Sequence, residues 1–362
     1  MTLRGISKRY QDVVAADGLD LVVENGEYLC LLGPTGAGKT TALRIIAGLT
    51  APDSGQVLLD SRNVTRLEPE KRNAVLLSQS YSLFPTMTVA QNIMFGPEIR
   101  GVPEEDRKRT LIELLDLVRL TKRADAYPRE LSGGMQQRNA LARALATNPD
   151  VLLLDEPLRA LDARLRIDLR YELRSMAKAL GLTVIHVTHD QDEALVMADR
   201  IAVIRDGRIV QVGTPREVFD NPASPFVANF VGQSNFFTGT VLCSGHGRTT
   251  TVNDEEGRIV FARPSTLPVD SRVVVAIKVG STRVVKKSDA FLTGTVERTL
   301  FEGRIVHLDV DVPGLGRYSV KLPASRKDQI AVGDEVGLNW NVQKASVFAY
   351  PDGGLEKELR VD

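Results

Sequence analysis

The chain is poor in cysteine, carries no surplus of either charge and contains no long apolar run. Its two cysteines, Cys30 and Cys243, stand far apart with no CxxC or Cys/His cluster, so the spacing suggests neither a disulfide framework nor a zinc site. Cys30 falls inside the apolar stretch YLCLLG and is expected as a small buried side chain. Lys plus Arg and Asp plus Glu both number 46, which removes any global basic field; nucleic acid is not an expected partner. No uninterrupted apolar stretch approaches the roughly eighteen residues that would span a bilayer, so an exporter with its own membrane segment is excluded. The opening MTLRGISKRY runs straight into polar sequence without the core of a signal peptide, and the expected compartment is the cytoplasm.

What is present is the composition of an ordinary globular protein, 43% hydrophobic and 25% charged. At 362 residues the chain exceeds the size at which one core stops growing, so two domains are expected. Short apolar runs such as VLLLD (151–155) and TVIHVTH (183–189) alternate with helical patterns such as IDLRYELRSMAKALG. Strands that are apolar on both faces and separated by helices predict a parallel sheet covered on both sides, an α/β domain over residues 1–234. Beyond NPASPFVANFVGQSN the texture becomes alternating and rich in valine and threonine, and helical periodicity disappears. An all-β domain is predicted over 235–362. Within it FTGTVL (237–242) recurs as LTGTVE (292–297), and DSRVVVAIKV resembles GDEVGLNWNV, as two divergent copies of one small barrel-like unit would.

GPTGAGKT places Gly33, Gly38, Lys39 and Thr40 in the order G-x-x-x-x-G-K-[ST], after the apolar run EYLCLL and before the helical stretch TALRIIAGL. In such a cradle, from Gly33 through Pro34, Thr35, Gly36 and Ala37 to Thr41, backbone N–H groups turn around phosphate and the helix N-terminus adds partial positive charge. Lys39 would reach the β and γ oxygens of ATP, and Thr40 would ligate Mg²⁺. VLLLD delivers Asp155 and then Glu156 to the carboxyl edge of the sheet: the first suits magnesium through water, the second polarisation of an attacking water. His189 ends the next apolar run, close enough to touch a γ-phosphate, whereas His186 reads as a packed core histidine.

A second glycine-rich helix start, Leu131, Ser132, Gly133, Gly134 and Met135, is also built to receive an anion. The mainly helical stretch between Gln79 and Arg129 would separate the two cradles within one molecule. If both grip the same nucleotide they come from two chains, in a twofold pair that buries two ATP molecules.

The ordered set GPTGAGKT, Gln79, LSGGM, LLLDEP and VTHD resembles the ATP-binding cassette (ABC) ATPase family. The resemblance implies a P-loop core of RecA-like parallel sheet with an antiparallel β subdomain and a helical subdomain at about 80–150, followed by an OB-like regulatory domain of the TOBE type. It implies an ATPase peripheral to the cytoplasmic membrane face, working with membrane permease subunits and, through them, an extracytoplasmic solute-binding protein. Gln79 would contact magnesium and water and relay nucleotide state, Tyr10 would stack on adenine, and Asp162 would sit in the loop touching the opposite site. The stretch SYSLFPTMTVAQNIMFG (80–96) would form either the groove for a permease helix or the core of the helical subdomain. The tail resembles that of maltose, polyamine, sulfate and molybdate importers, and GEYLCLLGPTGAGKT, PDSGQVLLD, SYSLFPTMTV and MADRIAVIRDGRIVQVG lean toward the molybdate/tungstate branch. A soluble ABC ATPase of the translation or repair type is disfavoured by the single cassette and the absence of heptads. A binding module whose β domain captures a partner or small anion is the other competing reading.

Several positions depart from the family pattern. Met135 and Asn139 stand where glutamine and valine are usual, and Ser78 and Ser80 flank Gln79 where an aromatic residue and asparagine are common. Arg159 replaces the small serine that opens the loop ending at Asp162; it either pairs with an anion across the dimer or hinders closure. In the tail, AIKVGSTRV lacks the arginine-proline-glutamate turn of many importers, which weakens a solute-binding role there.

Overall fold

The computed structural model describes residues 1–361 other than Ala160 and His246, and residues 327–329 by their backbone alone. It divides into two compact units, Met1–Pro215 and Arg216–Val361.

The first unit runs β1 (Thr2–Tyr10), β2 (Val13–Val22), β3 (Tyr28–Leu32), α1 (Lys39–Ala47), β4 (Ser54–Leu59), β5 (Arg62–Asn63), β6 (Ala74–Leu77), α2 (Val89–Ile99), α3 (Glu104–Leu117), α4 (Gly133–Leu145), β7 (Val151–Asp155), α5 (Ala163–Ala179), β8 (Thr183–Thr188), α6 (Gln191–Met197), β9 (Arg200–Arg205) and β10 (Arg208–Gly213). Six strands form one sheet in the order β10-β9-β3-β8-β7-β6, parallel except for β10. Its central strands β3 and β8 are buried along their whole length, which is why they read as apolar without alternation. A second sheet, β2-β1-β4-β5, is antiparallel. Leu43, Ile45 and Ile46 of α1 share one core with Leu3, Ile6 and Leu19 of that sheet and Leu29, Leu153 and Ile185 of the parallel one. Each such side chain contributes roughly 1.5–3 kcal/mol of burial, so the helix that follows the cradle is clamped by its apolar residues.

The end of α1 is held by one buried cation. Arg72 donates to the carbonyls of Ile45 and Ile46 at the end of the helix and to those of Thr65 and Leu67 in the chain beyond it, tying the two together. Gly48 caps the helix at φ 81°, and a Cβ there would lie 2.5 Å from Arg72 Nε, so the glycine also makes room for the guanidinium. Helices α2, α3 and α4 lie within the stretch expected to form a helical subdomain, with α2 opened by a capping box of Thr88 and Gln91.

The second unit contains α7 (Pro215–Asp220), α8 (Pro225–Gly232), β11 (Ser234–Cys243), β12 (Thr250–Asp254), β13 (Ile259–Ala262), β14 (Arg272–Lys278), β15 (Thr282–Val285), β16 (Leu292–Glu302), β17 (Ile305–Val312), β18 (Gly316–Pro323), β19 (Glu335–Trp340), β20 (Ala345–Ala349) and α9 (Leu355–Leu359). Residues 216–234, assigned from sequence to the first domain, fold with this unit: α8 buries Phe226, Val227, Phe230 and Val231 and packs on β14 and α9. Helix and strand texture locates a change of secondary structure, whereas the unit boundary follows the packing of that apolar face.

The internal repeat is visible in the two sheets, ordered β13-β12-β11-β14-β20 and β18-β17-β16-β19-β15. FTGTVL lies on β11 and LTGTVE on β16, each at the centre of its sheet. β15 follows β14 in the chain yet pairs with β19, while β20 follows β19 yet pairs with β14, so each copy lends its last strand to the other. The repeated glycine has one reason in both copies: a Cβ would come within 2.2 Å of Asn253 O at Gly239 and 2.5 Å of Asp311 O at Gly294. Both sheets bury their inner faces in one core around Phe237, Tyr318 and Trp340.

Candidate active site

Strands β3, β7 and β8 are parallel neighbours, in register Leu32 to Thr188 and Asp155 to Val187, so the residues that follow them meet at one sheet edge. After β3 the chain turns through Gly33 to Gly38 into α1. A Cβ on Gly33 would sit 2.3 Å from Ile204 O, and one on Gly38, whose φ is 98°, would sit 2.0 Å from Ala15 O. Those two positions admit only glycine. Pro34 and Thr41 are half-buried, Ala37 is buried, and Thr35, Gly36 and Thr40 are exposed. No side chain caps α1 at Gly38 and no acid occupies its first turn, which leaves the amide groups there for an anion.

Lys39 is buried and donates to Gly33 O at 2.8 Å and Pro34 O at 2.6 Å. Burial pushes its pKa down, opposed by Glu156 and Asp155. Thr40 Oγ1 donates to Asp155 Oδ1 at 3.1 Å. Burial raises the pKa of Asp155, against the Thr40 hydrogen bond that lowers it. Glu156 takes a left-handed φ of 46° while its N–H donates to Val187 O, a conformation that costs of order 1 kcal/mol and is concentrated at functional sites. Its Oε1 lies 3.0 Å from His189 Nδ1, and Arg159 Nη1 donates to its Oε2 at 2.9 Å. Burial alone would raise this carboxyl's pKa, but the bonds from His189 and Arg159 hold it below its ordinary value.

The second glycine loop is built against other neighbours. Ser132 caps α4, accepting from Met135 N at 3.4 Å. A Cβ on Gly133 would meet Leu161 Cδ2 at 3.3 Å, and one on Gly134 would meet Leu165 Cδ2 at 2.8 Å. These glycines therefore serve leucine packing from the loop and helix beyond Arg159, a role the sequence did not disclose. Leu131 is buried, Met135 half-buried, and Ser132 and Gly133 are exposed. Asp162 caps α5 through Leu165 N, 3.0 Å. Behind the loop, the amide atoms of Gln137 and Asn139 are buried and without hydrogen-bond partners among the described residues, a cost of about 1–3 kcal/mol per group.

Among the described residues no contact brings Gln79 or Tyr10 into this cluster. Gln79 is exposed in a turn where the Ser78 and Ser82 hydroxyls lie 2.8 Å apart, and Tyr10 is 45% exposed at the end of β1 with Lys8 over its ring. Two residues not named among the candidate site residues tie the Gln79 turn down. Tyr81 donates to Pro157 O, one residue beyond Glu156, and Arg143 of α4 donates to Tyr81 O and Ser82 O while lying over Phe84. The segment that follows divides: Tyr81, Val89, Ile93 and Met94 are buried, while Phe84, Met87 and Phe95 stay half-exposed.

His186 is fully buried with Nδ1 3.0 Å from Tyr28 OH, and burial lowers its pKa from an ordinary 6.5 to about 3. Because the folded value lies below the unfolded one, the stability this residue contributes is complete above pH 6.5 and lost as pH falls toward 3. The expected slope is about 1.4 kcal/mol per pH unit. Urea unfolding of H186Q between pH 7 and 4.5 should show that slope flattened relative to wild type.

Family models match at two places: ABC transporter over residues 16–159 and TOBE domain over residues 272–348. The chain is 51% identical over 283 residues, 77% of this chain and 70% of the relative, to the spermidine/putrescine import ATP-binding protein PotA of Acidothermus cellulolyticus. It is 42% identical over 348 residues, 96% of this chain and 94% of the relative, to the protein of the same name from Ruegeria pomeroyi. Among solved structures it is similar to a dimeric ATP-binding cassette in a post-hydrolysis state bound to ADP and Pi, with TM-score 0.53 and 31% identity over 59% of this chain and 98% of that one. The molybdate/tungstate lean finds no support among these relatives, which are named as spermidine/putrescine import proteins.

Proposed function

The chain belongs to the ABC transporter family of ATP-binding import proteins, and from that premise we propose that its ATPase drives uptake of polyamines of the spermidine and putrescine class through a membrane permease. The observation that carries this reading is a likeness to polyamine import ATP-binding proteins that extends through both units, 94% of the relative's length in one case.

In this reading ATP sits with its β- and γ-phosphates in the loop Gly33–Thr41, drawing Lys39 from its two carbonyl partners. Thr40 and Asp155 offer adjacent oxygen donors, a set that fits Mg²⁺, which takes few protein ligands and keeps water and phosphate as the rest. These two residues would hold the ion, whose charge offsets that of the phosphate oxygens. Glu156 accepts a proton from the attacking water, and His189 orients that carboxylate and reaches toward the γ-phosphate. Ser132, Gly133 and the amides of α4 grip the same phosphate from a second copy of the chain, so ATP closes the pair and its hydrolysis releases it. Gln79 reports the state of the site to the permease; the half-exposed Phe84, Met87 and Phe95 beside it offer the apolar seat for a permease helix. Tyr10 stacks on adenine, and Asp162 holds the loop that faces the other nucleotide. The working place is the cytoplasmic membrane face, with an extracytoplasmic solute-binding protein delivering cargo to the permease.

Reconstitution tests this. The full chain, assembled in liposomes with permease subunits and a solute-binding protein of the polyamine class, should accumulate labelled spermidine or putrescine in an ATP-dependent manner. ATP-dependent uptake of tungstate or maltose in place of polyamine would overturn the solute assignment.

A further inference from the structure

Between Gln79 and α2 the backbone passes through two successive residues with left-handed φ, Tyr81 at 58° and Ser82 at 45°. Neither is glycine, and a residue with a Cβ takes that conformation rarely, where its surroundings hold it there. Arg143 of α4 supplies the hold. Its Nη2 donates to Tyr81 O at 3.0 Å and its Nη1 to Ser82 O at 2.7 Å, so one planar guanidinium grips the carbonyls of both strained residues. The same guanidinium lies over the ring of Phe84, 5.2 Å from its centre.

Two links compete to decide which element this turn follows. Tyr81 Oη donates to Pro157 O at 3.3 Å, a long neutral bond toward the residue after Glu156. Arg143 makes two shorter, charge-assisted bonds, each about twice as strong as a neutral one, so the turn follows α4. Phe84 travels with it. Fully buried Asn92 of α2 accepts from Phe84 N at 2.9 Å and donates to Phe84 O at 3.1 Å, the Phe84 and Phe95 ring centres lie 4.3 Å apart, and α2 packs on α4. Helix α4 starts at the second glycine loop, with Arg143 about 15 Å along it from Gly133. We propose that Arg143 is a positioning residue that fastens the permease seat at Phe84 to the helix of the second cradle. A phosphate drawing on the Ser132 loop then moves the seat, and a permease helix on Phe84 bears on that loop.

This inference rests on the reading of Phe84 as a permease contact, and the test separates the two. Full-length wild type, R143A, R143K, Y81F and F84A are assayed for ATP hydrolysis alone and in liposomes with permease subunits and a solute-binding protein of the polyamine class. R143A should lose about 5- to 30-fold of the permease-stimulated rate, the span of a coupling link, with the KM for ATP in place because the first cradle is untouched. R143K keeps the charge without the planar fork and should fall between R143A and wild type. Y81F, which removes the bond to Pro157 O, should stay nearer wild type than R143K. Hydrogen exchange of R143A alone, with no permease present, should rise more in segment 78–88 than in the buried strands β3 and β8. Should R143A fail to fold, R143K decides by the same measures. An equal rise in all three segments would mark Arg143 as merely structural and overturn its fastening role, as would a loss in Y81F as large as that in R143A. Full stimulation of R143A while F84A loses it would overturn the fastening and leave the seat standing. Full stimulation of F84A would overturn the seat itself.

Discussion

Glutamine in place of Glu156 should lower ATP turnover by about 10²- to 10⁴-fold, a rise of roughly 3–5 kcal/mol in the barrier, while nucleotide binding survives. The substitution keeps the shape of the side chain and an oxygen for one of its two donors, Arg159 and His189, so the local packing around residue 156 is retained. What disappears is the negative charge and the basicity that takes a proton from water. Cradle residues Lys39 and Thr40 and the second glycine loop are untouched, so the γ-phosphate still enters and still joins two copies. It is then not removed. Size-exclusion chromatography of E156Q with ATP and Mg²⁺ should show a dimer that persists in salt, where wild type returns to monomer as it hydrolyses. Turnover equal to wild type would remove Glu156 from its role.

How much of this was legible beforehand follows from the physics of each feature. The parallel sheet could be read because β3 and β8 are buried on both faces and must be apolar throughout. The first cradle could be read because Gly33 and Gly38 have no alternative residue, with Ile204 O and Ala15 O closer to them than a Cβ allows. The β repeat was legible for the same reason at Gly239 and Gly294. By contrast, the exchange of β15 and β20 between the two copies leaves no local mark, because a strand's sequence specifies which face is buried and not which neighbour it joins. The glycines of the second loop were read for their approach to an anion, while Leu161 and Leu165 give them a packing reason that only tertiary structure shows. Arg159 was flagged as unusual, but its partner could not be chosen from sequence, since its reach takes in its own strand end as well as any neighbouring chain. Tyr81 was read only as part of the stretch 80–96 and sits in the turn after Gln79, outside any helix, where nothing in the sequence marks its hydroxyl for Pro157 O; Arg143 is a basic residue among the alanines and leucines of α4.

Mixing two inactive variants should restore activity if the two cradles serve one nucleotide from two chains. K39A removes the cation of the first cradle, and S132R places a bulky charge at the mouth of the second. Each homodimer then carries two damaged sites and should be inactive. In a mixed pair the first cradle of the S132R chain still has Lys39 and meets the intact Ser132 loop of the K39A chain, while the other site carries both defects. Random pairing makes half the dimers mixed, each with one working site of two, so an equimolar mixture should hydrolyse ATP at about a quarter of the wild-type rate if sites act independently. Strong coupling between sites would lower that figure without abolishing it. Had one chain used both cradles on its own nucleotide, each variant would damage every site it contains and mixing would recover nothing. The measurement is phosphate release from the mixture against each variant alone. The single chain shows separate surroundings for the two loops: Ile204 and Ala15 lie against the glycines of the first, Leu161 and Leu165 against those of the second.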